Sequence, residues 1–394
     1  MKKLLITVCV LVTSVAAISQ NPASFRLVKT TGKLPHLEYG PGDERLGGAK
    51  MTYLDTNVLL TVVDSFESDY IVRLSNQHKA FISKQNVTAT DNIVAKPYYL
   101  SGNWKIFGDS VHDYLTISMP ERLPYKSQMQ IEPSRIVVDL YGITSNTNWI
   151  TQLNSAKEIS GAWYEQLEDD VLRVYISLKH QQHWGYLIFY DTASAKLTVR
   201  VKRQPKKTDI KNLKIAIDAG HGGDNIGASG LNSKVLEKDY CLLIARAVAA
   251  QLRKSGVKKV YMTRLTDTTL SMPERVYNLR NADPDILISI HLNSSGYDTV
   301  MGTSTFYRYI GYKSLTTAVL KRMLQLKLAE YGNVGSFNFA LNGPTEYPNC
   351  LVEVAFLSNP DDEKKILDPA FHKKVAVKIE AGIKDWLGTI KKNE

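Results

Sequence analysis

From residue 213 to residue 394, short apolar runs alternate with longer runs of helical periodicity. The run KIAIDA predicts a strand. The run KVLEKDYCLLIARAVAAQLRKSG predicts a helix, because Leu242, Ala245 and Val248 recur on one helix face. The run SMPERVYNLRNA predicts a helix that starts after a cap at Ser271, with Pro273 in the first turn. Further helices are expected near 313–331 and 369–388. Strands that are apolar along their whole length, such as PDILISIHLN, are typical of sheets covered on both sides. Residues 213–394 are therefore predicted to form an α/β domain with helices on both faces of a mixed sheet.

The preceding residues show the two-residue alternation of antiparallel strands instead. Residues 20–95 contain NVLLTVV, YIVRLS and KAFIS between turn-forming residues, which predicts a small β-barrel-like module that resembles bacterial SH3-like modules. Residues 100–203 contain YLTISM, LRVYISL and KLTVRVK, which predict a β-sandwich. Residues 204–212 are basic and polar and contain a proline, as expected of an interdomain linker. We therefore expect a multidomain chain, as its length of 394 residues also suggests.

The N-terminus predicts export. Residues 1–19 contain Lys2 and Lys3 followed by an apolar stretch that ends in small residues, the pattern of a secretory signal peptide. A retained N-terminal anchor is the alternative. Removal of this segment leaves only Cys241 and Cys350, which excludes a disulfide scaffold and favours two buried thiols. The formal charge of +10 suits an anionic partner, but it does not choose among nucleic acid, a membrane surface and an acidic wall polymer.

Four polar side chains lie near strand ends of the α/β domain, where ligands collect in open sheets. His221 follows the first strand, Glu237 opens the next helix, His291 ends ILISIH, and Glu353 interrupts the apolar strand CLVEVAF. Each alone is weak evidence, since a strand histidine is more often a satisfied core residue. Together, two imidazoles and one carboxylate make the ligand set of a catalytic zinc site, and a further carboxylate makes its general base.

Other catalytic motifs are absent from the sequence. It contains no H-E-x-x-H metalloprotease motif and no G-x-S-x-G nucleophile elbow. The glycines of GHGGDNIG have neither the G-x-G-x-x-G spacing nor the Lys-Ser or Lys-Thr ending of a P-loop, which disfavours nucleotide binding. The pair of histidines in HQQH, residues 180–183, lies between two predicted strands, where a hairpin turn is the better interpretation.

The α/β domain resembles the zinc-dependent N-acetylmuramoyl-L-alanine amidases of bacterial cell walls. The segments IAIDAGHGGDNIGASG, LEKDYCLLIA, RNADPDILISIHLNSS and CLVEVAFLSNPDDE match four family motifs in order. The resemblance implies that His221, Glu237 and His291 bind Zn²⁺ and that Glu353 is the catalytic glutamate. In front of this domain, SRIVVDLYG resembles the AMIN-type β-sandwich found in some of these enzymes.

The resemblance implies a secreted, periplasmic or wall-associated hydrolase. It would cut the amide between N-acetylmuramic acid and L-alanine of peptidoglycan, with no nucleic-acid partner and no membrane span after signal cleavage. The β-modules would contact the wall or a division-associated protein. Asp218, Ser289 and Asn293 are candidates for orienting the zinc ligands. The short stretch 296–312 lacks an added helical segment, which suggests a site open without an activator. Two alternatives are a non-enzymatic wall-binding protein and a zinc peptidase acting on the stem peptide.

Overall fold

The computed structural model describes residues 26–42, 46–90, 96 and 98–392. The predicted signal peptide, residues 1–19, lies outside these residues and stays a prediction. Among the described residues, no helix is both long enough and apolar enough to cross a membrane.

The first seven strands form one antiparallel sheet, here called the N-terminal β-module (residues 26–89). Its strands are β1 (Arg26–Thr30), β2 (His36–Glu38), β3 (Lys50–Tyr53), β4 (Leu59–Phe66), β5 (Asp69–Arg73), β6 (Lys79–Ser83) and β7 (Val87–Ala89). Their order is β3-β2-β6-β5-β4-β1-β7, so β3 lies at one edge of the sheet. The SH3-like resemblance of this module stays a prediction.

The middle β-module (residues 98–203) contains two larger sheets and one small one. Its strands are β8 (Tyr99–Ser101), β9 (Trp104–Gly108), β10 (His112–Ile117), β11 (Tyr125–Ile131), β12 (Ser134–Tyr141), β13 (Ile143–Ser145), β14 (Ile150–Gln152), β15 (Ile159–Glu168), β16 (Val171–Leu178), β17 (Tyr186–Tyr190) and β18 (Leu197–Lys202). The orders are β14-β9-β10-β18-β17, β11-β12-β16-β15 and β13-β8. Alternate residues of both larger sheets, such as Leu115 and Ile176, are buried in one core, as expected of stacked sheets.

The two β-modules share this core. Val28 and Leu60 of the N-terminal β-module belong to the same cluster of buried side chains as Trp104 and Val138 of the middle β-module. The sequence predicted separate modules from their strand patterns, and only the packing shows that the two are joined by a continuous apolar contact.

The hairpin interpretation of residues 180–183 is wrong. Strands β16 and β17, which flank this segment, belong to different sheets, so the segment crosses between the layers of the middle β-module. His180 lies 2.6 Å from Glu158, and the buried His183 lies 2.8 Å from the carbonyl oxygen of Gln130. The two histidines therefore anchor a sheet-to-sheet crossing, which sequence alternation cannot distinguish from a turn within one sheet.

The segment 204–212 is packed against its neighbours at several points. Thr208 and Ile210 are buried, and Ile210 belongs to the core of the following domain. A short 3₁₀ turn (Ile210–Asn212) is capped by Asp209, whose side chain accepts a hydrogen bond from the backbone N–H of Lys211. The segment therefore leads directly into the next domain; its role as a linker stays a prediction.

The C-terminal α/β domain (residues 213–392) is built on a six-stranded mixed sheet. Its elements are β19 (Lys214–Ala219), α1 (Glu237–Lys254), β20 (Lys259–Met262), α2 (Met272–Ala282), β21 (Ile286–Asn293), β22 (Thr303–Phe306), α3 (Lys313–Met323), β23 (Glu330–Val334), β24 (Asn349–Phe356), α4 (Pro360–Ile366) and α5 (Pro369–Lys392). The order is β20-β19-β21-β24-β22-β23, and only the pair β22–β24 is antiparallel.

Helices cover both faces of this sheet, as the apolar strands predicted. Ile215 and Ile288 pack in one cluster with residues of α1, α3 and α5. Their sequence neighbours Ala216 and Leu287 face the other way and pack with Val276 of α2. Since successive strand side chains point to opposite faces, a strand covered on both sides has no polar face to show in its sequence.

Helix boundaries agree with the local signals at some ends and differ at others. Ser271 caps α2 in a capping box with Glu274, which confirms the expected start of that helix. The helix expected near 313–331 is shorter, since α3 ends at Met323 and a 3₁₀ turn follows. Lys327 then takes a left-handed backbone (φ 59°), which stops the helix and turns the chain into β23.

Candidate metal centre

Three side chains from separate elements meet at the carboxyl ends of β19 and β21. His221 follows β19, Glu237 is the first residue of α1, and His291 lies in β21. One nitrogen or oxygen atom from each lies within 4.8 Å of the others, and this is the one such group found among the described residues. The Oε1 atom of Glu237 lies 2.9 Å from Nε2 of His221 and 3.2 Å from Nδ1 of His291.

The Glu237 carboxylate is buried at the N-terminus of α1, where the helix dipole favours a negative charge. Oε1 accepts the backbone N–H of Leu292 at 3.0 Å, and Oε2 accepts that of Ala228 at 2.8 Å. Burial alone would raise the pKa of this carboxyl. When the two histidine rings are protonated, their hydrogen bonds and positive charge outweigh burial and hold the pKa well below its usual range. Glu237 is therefore ionised and held in one orientation.

The loop partner of His221 sets its tautomer. Nδ1 of His221 lies 2.8 Å from Oδ1 of Asn225, and this oxygen also accepts the backbone N–H of Gly227. An amide oxygen only accepts hydrogen bonds, so Nδ1 of His221 carries a proton. In a neutral ring, Nε2 then directs a lone pair at the carboxylate oxygen of Glu237. That contact is repulsive unless a proton or a metal cation lies between the two atoms.

The second histidine shows a matching feature. His291 is buried, and its Nε2 atom has no hydrogen-bond partner among the described residues. Burying a polar nitrogen without a partner is costly. Two imidazoles and one carboxylate fit the three protein ligands of a catalytic zinc site. The donor set and the close contact between His221 and Glu237 therefore fit a divalent cation.

Glu353 is placed beside these residues by sheet register. In the parallel pair of β21 and β24, His291 and Glu353 are direct partners. Adjacent strands lie about 4.8 Å apart, and paired residues point to the same face. Glu353 is only partly buried, whereas the apolar residues next to it in β24 are fully buried. A second carboxylate thus lies next to the histidine–glutamate cluster, on a different strand.

Comparisons with known proteins find relatives of the C-terminal α/β domain. A family model for N-acetylmuramoyl-L-alanine amidase matches residues 215–385. The N-acetylmuramoyl-L-alanine amidase AmiC of Escherichia coli O6:H1 is 30% identical over 218 residues, covering 44% of this chain and 52% of that protein. The amidase LytC of Bacillus subtilis is 32% identical over 183 residues, covering 45% of this chain and 36% of that protein. The chain thus matches about half, or less, of these two relatives.

A shorter relative is matched over most of its length. The germination-specific N-acetylmuramoyl-L-alanine amidase of Bacillus subtilis is 31% identical over 199 residues, covering 46% of this chain and 82% of that protein. The chain belongs to the N-acetylmuramoyl-L-alanine amidase family. The matched residues lie in the C-terminal α/β domain, and the two β-modules lie outside the family model.

Two buried arginines hold the His221 loop of this amidase domain. Arg275 is fully buried and donates to Asp218 Oδ1 at 2.6 Å, to the Ala219 carbonyl at 2.9 Å and to the His221 carbonyl. Arg264 donates to the carbonyl oxygens of Ala219 and Gly220 at 3.0 and 2.8 Å. His221 itself has a left-handed backbone (φ 58°), which is uncommon for a residue with a side chain. The arginines therefore fix a strained turn that carries one of the cluster's imidazoles.

Of the three candidate orienting residues, two act indirectly and one does not reach the cluster. Asp218 is fully buried and accepts from Ser289 and Thr263, both at 2.7 Å, as well as from Arg275. Asn293 instead accepts the backbone N–H of Ser294 at a turn. Hydrogen bonds thus link Asp218 and Ser289 to the loop through Arg275, while the direct side-chain partner of His221 in the loop is Asn225.

Sequence analysis missed Arg264, Arg275 and Asn225. Arg264 lies in TRLTDT, Arg275 in PERVYNLRNA and Asn225 in GHGGDNIG. An arginine on an otherwise amphipathic helix carries no signal that it will be buried. Asn225 did carry a signal, since a short amide four residues after a candidate ligand histidine is within reach of its ring.

Two glycines leave room for the side chains of the cluster. A Cβ atom on Gly220 would lie 2.5 Å from the ring of His291, and one on Gly227 would lie 2.4 Å from Glu237 Oε2. Gly227 also has a left-handed backbone (φ 70°). The backbone of the first motif therefore passes so close to the cluster that no side chain fits at either position.

One wall beside the cluster is aromatic. The ring of Phe339 meets His291 edge-on with centroids 5.1 Å apart. Phe337 lies 6.1 Å from Phe339 and 4.5 Å from Phe306. A cavity of about 1490 Å³ lies elsewhere, between the middle β-module and helices α3 and α5, and none of the cluster residues lines it.

Proposed function

We propose that the protein is a zinc-dependent N-acetylmuramoyl-L-alanine amidase that cuts the amide between N-acetylmuramic acid and L-alanine in peptidoglycan. The family membership supports the reaction class. The observation that carries the proposal is the convergence of His221, Glu237 and His291, with Glu353 in register beside His291. These four residues are the ones that the sequence motifs singled out.

His221, Glu237 and His291 would hold the metal. A Zn²⁺ ion bound there would lower the pKa of a water molecule to near 7 and polarise the amide carbonyl. Asn225 keeps the proton of His221 on Nδ1, which leaves Nε2 free to donate its lone pair. The backbone N–H groups on Glu237 hold its carboxylate toward the same point.

Glu353 would move the protons of the reaction. Its carboxylate accepts a proton from the attacking water as the oxygen bonds to the lactyl carbonyl carbon. The same proton then passes to the alanine nitrogen as the carbon–nitrogen bond breaks. The products are a free lactyl carboxylate and a stem peptide with a free α-amino group. Because Glu353 lies on β24 and the other three residues lie elsewhere, proton transfer and metal binding are separable by mutation.

The protein would act outside the cytoplasm. The predicted signal peptide and the peptidoglycan substrate both require export, to the periplasm or the cell wall. The positive formal charge of +10 suits an anionic wall. The β-modules would bring the catalytic domain to the wall or to a wall-associated protein.

The site would also be open without an activator. The chain between β21 and α3 is fully described and contains β22 and one 3₁₀ turn (Ile310–Tyr312), with no α-helix in that interval. Full activity of the purified protein alone is the expected result. Low activity that rises on addition of a second protein would contradict it.

The test is digestion of purified peptidoglycan sacculi by the wild type and by the variant Glu353→Gln. We expect the wild type to release intact stem peptides with new N-terminal alanine. The variant should lose at least about 10²-fold in rate, since general acid–base catalysis contributes that much, and should keep its zinc. Glu330→Gln, an exposed glutamate of β23, is the matched control and should retain full activity.

Three outcomes would contradict the proposal in different ways. Cleavage within the stem peptide would identify a peptidase. Binding to sacculi without any release from a zinc-loaded protein would identify a wall-binding protein. Loss of zinc from Glu353→Gln would mean that Glu353 is a ligand rather than the general base.

A further inference from the structure

The outer edge of strand β3 is covered by side chains of the C-terminal α/β domain. The backbone N–H of Lys50 donates to Oδ1 of Asn338 at 3.1 Å, and Nδ2 of Asn338 donates to the Gly48 carbonyl at 2.7 Å. The Lys50 carbonyl accepts from Arg308. An edge strand leaves such groups unpaired unless something covers them. Here one carboxamide supplies both a donor and an acceptor, as a neighbouring strand would.

Asn338 belongs to residues 335–343, here called the wall loop, which the N-terminal β-module contacts at further points. The hydroxyl of Tyr53 donates to the Ala340 carbonyl at 3.3 Å. A Cβ atom on Gly343 would lie 2.6 Å from the ring of Tyr53, so the two approach as closely as a glycine allows. Leu34 packs in one buried cluster with Leu341. The N-terminal β-module thus holds the wall loop along most of its length.

Phe339, the residue after Asn338, lies against the metal centre, and Phe337, the residue before Asn338, stacks on Phe339. Phe339 meets the ring of His291 edge-on at 5.1 Å, and Phe337 lies 6.1 Å from Phe339. Asn338 is the residue between them, and its side chain is bound to the other module. In an extended segment, alternate side chains point to opposite sides. Residues 337–339 therefore contact β3 through the side chain of Asn338 and form the aromatic wall through the two phenylalanines.

We propose that the N-terminal β-module completes the substrate cleft and that Asn338 is the positioning residue for this contact. Asn338 holds Phe339 beside His291 and so shapes the surface against which the glycopeptide binds. The identity of the ligand rests on the proposed amidase function. The positioning of the wall loop by β3 does not.

The kinetic consequence follows from where the groups lie. His221, Glu237, His291 and Glu353 are held by elements other than the wall loop. A wall loop released from β3 would have to be ordered again by each substrate, which weakens binding. The chemical step would change little once the substrate is bound. The effect should therefore appear in KM and leave kcat nearly unchanged.

The experiment compares Asn338→Ala with Tyr277→Phe in the full chain. Tyr277 lies on α2, and its hydroxyl accepts the backbone N–H of Leu34 at 3.0 Å. Its loss removes one hydrogen bond of this interface but leaves the Leu34 side chain in its cluster with Leu341. We expect Asn338→Ala to raise KM for a soluble muramyl peptide roughly tenfold, with kcat within about twofold and zinc content unchanged. Tyr277→Phe should match the wild type. Asn338→Asp, which keeps only the acceptor for Lys50, should recover part of the loss.

Hydrogen exchange of residues 335–343 provides a readout that needs no turnover. Exchange in this segment should rise in Asn338→Ala and not in Tyr277→Phe. Unchanged exchange and unchanged KM would overturn the proposal, and so would a fall in kcat at constant KM or a loss of zinc. If the wild type fails to cut peptidoglycan, the proposed function fails, while exchange still decides whether Asn338 positions the wall loop.

Discussion

The two sides of the metal centre are held by different means. On one side, the loop that carries His221 is fixed by the buried pair of Arg275 and Asp218 within a single domain. On the other side, the wall loop (335–343) is fixed by the backbone edge of β3 in a separate module. A buried ion pair tolerates no loss of a partner, whereas a contact between modules can be weakened gradually. We therefore expect the loss of one partner to cost more stability on the metal side than on the side of the wall loop.

The largest expected effect comes from breaking the buried pair. Arg275→Met removes the guanidinium and leaves the Asp218 carboxylate buried with two hydroxyl donors. Loss of one member of a buried pair costs about 3–5 kcal/mol, and we expect that loss in the free energy of unfolding. Denaturant titration of the metal-free protein measures it.

The exposed Arg253→Met is the control for this change. Its guanidinium makes one long hydrogen bond, 3.3 Å to the Val260 carbonyl, so the substitution should stay within about 0.5 kcal/mol. Equal losses in the two variants would mean that the pair of Arg275 and Asp218 has no special role in the loop.

A smaller effect should follow from closing the clearance next to His291. Gly220→Ala places a methyl group 2.5 Å from the imidazole, so the ring must move. Overpacking of this kind costs about 1–3 kcal/mol, and we expect the zinc content after metal loading to fall as well. Elemental analysis and thermal unfolding measure the two effects.

Gly388→Ala is the matched control. A Cβ atom at Gly388 has no neighbour within 4 Å, and the residue lies inside α5. The substitution should be neutral or stabilising by up to about 1 kcal/mol, because alanine favours helices. Retention of full zinc content by Gly220→Ala would show that the position of His291 is not set by this contact.

The smallest effect concerns pH. Burial alone would raise the pKa of Asp218, but Arg275 and the surrounding hydrogen bonds outweigh it, so the folded-state pKa lies below the ordinary value. The contribution of Asp218 to stability is then complete above the ordinary pKa of about 4 and is lost as pH falls through the folded pKa. Stability of the metal-free protein should therefore fall below pH 4.

The variant Asp218→Asn separates this group from the other carboxylates. It lacks the titrating group, so its stability should be lower throughout but should depend less on pH in the acid range. Identical pH profiles for the variant and the wild type would assign the acid sensitivity to other residues.

Much of the fold was predictable because its signals are local. Strand β6 has the predicted bounds, 79–83, and the cap of α2 stands at the predicted Ser271. The interpretation of residues 180–183 was wrong, because two strands that follow each other in sequence need not pair. The end of α3 was also misjudged, since the left-handed Lys327 carries no glycine signal.

For the site, the motif residues were predictable and their supports were not. His221 and His291 stood out because polar side chains at the ends of apolar strands need a partner, and Glu237 because it opens the helix that follows the first of these strands. The sequence could not show that Arg275 is fully buried beneath the His221 loop, or that Asn338 binds the edge of β3. The metal-binding roles of His221, Glu237 and His291 and the catalytic role of Glu353 stay proposals.

The sequence by itself determined which elements form and which polar residues lie at the strand ends, because periodicity and capping act between residues close together in the chain. Only the tertiary structure decided which groups hold these residues and the neighbouring loops in position. Asn338 meets Lys50 across 288 residues, and Arg275 meets Asp218 across 57. Contacts between such distant residues depend on how sheets and modules pack, and no local pattern records that packing.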